Sequence, residues 1–108
     1  MIDKSEKQVK NIRIILLDPA FEMIKEYIVS QGQGNPEIVC KKDSVEVIFN
    51  DNRGKTCKYG CWINDNGKVY REARRRPETK TDFSGCDAFK VTPQIILDDF
   101  VAFFRFII

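Results

Sequence analysis

The sequence predicts an α+β domain in which an antiparallel meander of four to five strands carries two helices packed on one face. Three observations predict it. The middle of the chain holds four runs rich in β-formers separated by turn residues. A capping residue followed by proline occurs twice, at Asp18-Pro19 and Thr92-Pro93, each ahead of an amphipathic stretch. No repeat, low-complexity tract or linker divides the 108 residues, so 1–108 is read as a single domain.

The elements follow in order. Asn11 to Leu17 (NIRIILL) is a short apolar run that periodicity alone leaves open between a strand and a helix end. At Asp18-Pro19 a carboxylate in the N-cap position precedes proline at the first helical position, which satisfies orphan N–H groups and presets φ. On the wheel that follows, Ala20, Phe21, Met23, Ile24, Tyr27 and Ile28 gather on one side and Glu22, Lys25, Glu26 and Ser30 on the other. Gly32 and Gly34-Asn35-Pro36 end this helix.

Glu37 to Lys42 and Ser44 to Asn50 read as strands, the second setting Val45, Val47 and Phe49 against Glu46, Ile48 and Asn50. Asp51-Asn52-Arg53-Gly54 then turns the chain into a hairpin, Lys55 to Arg76, whose two strands flank Asn66-Gly67. That pair suits a two-residue loop with positive φ at both positions. The polar stretch ETKTDFSG after Pro77 reads as an exposed loop, and Ala88 to Val91 as a short edge strand. Thr92-Pro93 opens the last helix, Pro93 to Ile108, about 24 Å long. Its apolar arc runs through Ile96, Leu97, Phe100, Val101, Phe103, Phe104, Ile107 and Ile108 and must face the sheet. Asp98, Asp99 and Arg105 interrupt it, and it is too short to cross a membrane.

Eighteen Lys and Arg nearly balance sixteen Asp and Glu, so whole-molecule attraction to nucleic acid or anionic lipid is weak. The distribution is uneven: Lys55 to Lys80 holds eight basic residues against three acidic ones. Met1 to Lys10 is polar and charged with no apolar h-region, so no secretory signal is expected and the cytoplasm is the default location. In that compartment Cys40, Cys57, Cys61 and Cys86 are expected as free thiols. Cys57 and Cys61 share a strand face about 13 Å apart at Cα, too far to pair or to share a zinc ion.

The chain has no histidine, which removes Ser-His-Asp and Cys-His catalysis from within it. Asp98 and Asp99 are adjacent on a helix and point about 100° apart, so they read as a solvated face. Cys86 has only Lys90 nearby to activate it. None of the six glycines fits a Walker or dinucleotide spacing. The sequence therefore points to no enzyme, no cofactor and no metal site.

What remains is the hairpin. With Asn66-Gly67 as a two-residue loop, Trp62 opposes Arg71, Lys58 opposes Arg75 and Gly60 opposes Ala73 on one face. Cys57, Tyr59, Cys61, Ile63 and Tyr70, with Glu72 and Arg74, take the other. A three-residue loop with a bulge would exchange the faces. The expected partner-binding residues are Lys58, Trp62, Arg71, Arg74, Arg75 and Arg76, a tryptophan among cations of the kind that grips protein surfaces.

The expected function is a non-catalytic protein-binding module, most concretely a bacterial immunity protein that occludes the active site of a cognate toxin. The alternative is a nucleic-acid-binding accessory domain using the same ribbon. Asp82, Asp87, Asp98 and Asp99 offer a second, acidic contact surface. A stripe of Ile95, Asp99, Ala102 and Phe106 is expected to pack under Ser5 to Ile12, or else to form a dimer or partner surface, so the chain is expected as a monomer or weak homodimer.

Overall fold

The computed structural model describes residues 4–74 and 83–107. The first helix starts earlier than the sequence predicts. Helix α1 (Lys4–Ile12), a π-helical segment (Arg13–Leu17) and helix α2 (Asp18–Ser30) follow without a break, so the NIRIILL run is helix and Asp18 caps nothing. Pro19 lies inside the helix. An interior proline removes one rung, and its ring presses on the carbonyl four residues back. The chain accommodates it by widening the preceding turn, where the Asp18 N–H bonds the Arg13 carbonyl five residues away. A continuous apolar stripe overrides the local stop signal: Val9, Ile12, Leu16, Leu17, Ala20, Phe21, Ile24 and Ile28 are all buried. At the far end Gly32 N–H bonds Val29 O and Gln33 N–H bonds Ile28 O, closing the helix as a Schellman motif.

Five strands follow as an antiparallel meander in the order β1-β2-β3-β4-β5: β1 (Glu37–Cys40), β2 (Ser44–Asn50), β3 (Thr56–Ile63), β4 (Lys68–Arg74) and β5 (Cys86–Asp87). The expected α+β architecture is the one observed. The edge strand is Cys86–Asp87, and the stretch expected to supply it, from Ala88, forms a 3₁₀ turn (Ala88–Lys90). Helix α3 (Pro93–Ile107) starts as the Thr92-Pro93 pair predicts, with Thr92 Oγ1 accepting the Ile95 N–H at 3.2 Å.

One sheet face is spent on the core. Val45, Val47, Phe49, Cys57, Tyr59, Cys61, Ile63 and Val69 point inward from the strands, and Ile96, Phe100, Phe103 and Phe104 meet them from α3. Tyr59, Phe49 and Tyr27 surround Phe100 at ring separations of 5.2, 5.7 and 6.2 Å. The opposite sheet face carries side chains that are half-buried or exposed.

The β3–β4 register differs from the two-residue-loop expectation. Trp62 pairs with Tyr70, Cys61 with Arg71, Gly60 with Glu72 and Lys58 with Arg74. The loop has three residues, Asp65-Asn66-Gly67, with Gly67 at φ +76° as the bulge residue. Asn64 organises it. Its backbone exchanges bonds with Lys68 and Gly67, and its side-chain oxygen accepts the N–H groups of Asn66 at 3.0 Å and Lys68 at 2.8 Å. One extra loop residue moves every β4 side chain to the other face.

Candidate functional site

The exchange of faces decides what the outer sheet surface can contact. Trp62 remains outward and is 37% exposed, as the strand alternation of β3 requires. Its neighbour across the ladder is Tyr70, and the two rings stack at 4.6 Å with planes 19° apart. Beside them Glu46, Gly60 and Glu72 lie in register across β2, β3 and β4. A pit of about 290 Å³ lies on this part of the face, lined among others by Lys41, Asp43, Glu46, Gly60, Trp62 and Glu72. Glu46 and Glu72 flank the floor about 10 Å apart at Cα. Trp62 closes one end, and Lys41 and Asp43 reach in from the β1–β2 turn. A methyl group at residue 60 would lie 3.0 Å from Glu46 Cβ and 3.3 Å from the Val45 carbonyl, so any larger residue there requires β2 to give by a few tenths of an ångström.

Arg71 sits on the core face, contrary to the expectation that it flanks Trp62. Its side chain is 6% exposed, and its Nε lies 2.8 Å from Oδ2 of Asp99, itself 11% exposed. The Tyr59 hydroxyl donates to the same Oδ2 at 2.5 Å. The guanidinium carbon rides 5.5 Å from the Tyr59 ring centre and 5.7 Å from that of Phe103. Burial, reinforced by the Cys61 and Asp99 charges, holds the Tyr59 hydroxyl well above its usual ionisation range. Burial, with the Asp99 charge, likewise pushes the Cys61 thiol up. Asp99 is therefore no part of a solvated acidic face. Asp98 is exposed and accepts from Gln94 at 2.8 Å.

The remaining expected residues divide. Lys58 is on the outer face as expected, with Nζ 3.0 Å from Glu46 Oε2. Arg74 ends β4, its backbone paired with Lys58 where the two-residue loop would have placed Arg75. Arg75, Arg76 and Asp82 lie outside the described residues. On the α3 stripe Ile95 is 40% and Phe106 53% exposed, while Asp99 bonds Arg71. Among the cysteines Cys57 and Cys61 are buried, Cys86 is half-buried and Cys40 is exposed.

Tyr70, Glu72 and Glu46 were not expected at the site. The signal for the first two is in β4 itself: Val69 and Ala73 are the apolar residues, and putting them inward forces Tyr70 and Glu72 outward. Asn64 three residues before Gly67 is the matching loop signal. Among the described residues no three acidic or cysteine groups converge to hold a metal ion, and no helix is long and apolar enough to cross a membrane. Comparison with known proteins adds no relative, since no family model, no curated protein and no solved structure matches the chain.

Proposed function

We propose that this protein is a non-catalytic binding module whose outer sheet face, centred on Trp62 and Tyr70, docks on a protein partner. The observation that carries the reading is exposed Trp62 stacked on half-buried Tyr70, on the sheet face that the core does not use. Aromatic side chains spend little conformational entropy for the area they bring to a contact, which is why they anchor interfaces. The most concrete job for such a module is that of a bacterial immunity protein, which neutralises a cognate toxin by covering its active site.

The nucleic-acid alternative is the weaker proposal. It needs outward cations beside the indole, and Arg71 is committed to Asp99 while Glu46 and Glu72 line the face. The test is co-expression with the protein encoded directly upstream. Growth arrest by that protein should be relieved by this chain and not by Trp62→Ala, which should weaken the complex by at least about 2 kcal/mol. Equal relief and equal affinity from a folded Trp62→Ala variant would refute the docking face. A complex that weakens steeply and linearly with log salt, and forms on single-stranded DNA or RNA, would favour the alternative.

A further inference from the structure

The docking face proposed above has a recognisable polarity, and we infer that the pit over Gly60 receives a basic side chain, arginine or lysine, from the protein partner. This inference rests on that reading and narrows the partner's chemistry. Three carboxylates, from Asp43, Glu46 and Glu72, stand around the pit against one cation, Lys41. Glu46 is answered by Lys58. Among the described residues neither Asp43 nor Glu72 is in an ion pair.

Shape and aromatic chemistry agree with the charge. The pit has a volume of about 290 Å³, which suits one long side chain. Trp62 forms one wall, and an indole face attracts a cation through its quadrupole while offering nothing comparable to an anion. A phosphate or carboxylate would meet the flanking glutamates at short range. A metal ion is poorly served, because the acid groups of the described residues do not converge on a common point. A planar guanidinium or a slender ammonium, entering end-on between Glu46 and Glu72 along the indole, satisfies all of these features at once.

The probe is N-acetyl-arginine methylamide added to the ¹⁵N-labelled full chain at low salt, with the norleucine and glutamate analogues as controls. The arginine probe should shift the Trp62 indole N–H and the Gly60 amide saturably, while the controls do not. Glu72→Gln should weaken the arginine probe about two- to fivefold, the range of one exposed cation–carboxylate contact. Asp43→Asn, on the rim, should weaken it less. Equal shifts from norleucine, preference for the glutamate analogue, or an unchanged affinity in Glu72→Gln would overturn the inference.

A second arm separates this failure from failure of the docking face. If Trp62→Ala abolishes the complex with the upstream-encoded protein while Glu72→Gln and excess arginine probe leave it intact, the face stands and the basic occupant is wrong. If Trp62→Ala leaves that complex intact, both readings fall.

Discussion

Removing the Asp99 carboxylate should destabilise the fold by about 3 to 5 kcal/mol, because it strands a charge inside the protein. The magnitude comes from the geometry. Arg71 is 6% exposed, its Nε is 2.8 Å from Asp99 Oδ2, and the same oxygen accepts the Tyr59 hydroxyl. Breaking a buried pair from one side costs about that much, since the remaining ion loses its opposite charge where little water reaches. Replacing both members with apolar groups of similar size costs far less, because the desolvation penalty disappears with the charges. A double-mutant cycle of Asp99→Leu and Arg71→Met should therefore show strong coupling: each single variant severely destabilised, the double variant within about 1 to 2 kcal/mol of the parent.

Urea denaturation followed by far-ultraviolet circular dichroism reads this directly. With m of about 1 to 2 kcal/mol per molar urea for a domain of this size, a loss of 3 kcal/mol moves the midpoint by about 1.5 to 3 M. The competing geometry makes an opposite forecast. With a two-residue loop Arg71 would sit in water, and Arg71→Met would fall within about 0.5 kcal/mol of the parent with no coupling to Asp99→Leu. Small, additive effects would refute the three-residue loop and with it the buried pair.

The same cluster and loop make two further predictions. Tyr59 and Cys61 both have ionisation raised by burial, so the folded chain keeps protons that the unfolded chain gives up. Stability should be insensitive to these groups below about pH 8, then fall by about 1.4 kcal/mol per pH unit above the unfolded thiol pKa of about 8.5, and twice as steeply above about pH 10. Denaturant midpoints measured from pH 8 to 11 would show it, and Cys61→Ala should remove the first of the two slopes. At the loop, Gly67 holds φ +76°, so Gly67→Ala should cost about 1 to 2 kcal/mol in a thermal melt, and Gly67→Asn less, since asparagine tolerates that conformation. An alanine variant as stable as the parent would contradict the bulged turn.

The parts of the fold legible in the sequence were those written in local pattern. The alternation of Val45, Val47 and Phe49 with polar neighbours, the Thr92-Pro93 cap and the α3 arc each require only neighbouring residues to be read. Where the sequence misled, a longer-range term outweighed a short one. Asp18-Pro19 has the composition of a helix start, yet the eight-residue apolar stripe from Val9 to Ile28 gains more by continuing than one proline costs once a π turn absorbs it. At the site, Trp62 and Lys58 were legible because β3 alternates plainly. Arg71 was not, because composition alone places arginine in water, and the partner that draws it inward, Asp99, is 28 residues away on another element.

The hairpin loop thus sets the chemistry of both faces with a single residue. Had Asn66-Gly67 closed the turn alone, Arg71 would stand beside Trp62 and the outer face would attract acidic ligands. Asn64 prevents this by holding two N–H groups of the turn with one side-chain oxygen, which favours the three-residue form with Gly67 as its bulge. The consequence inward is a cation that must find a carboxylate, and α3 supplies it in Asp99 at the position facing Tyr59. The consequence outward is Glu72 in place of an arginine or alanine, beside Gly60 and the indole. The buried pair and the acidic pit are two results of one register, so any change that restores the two-residue loop should disturb stability and partner preference together.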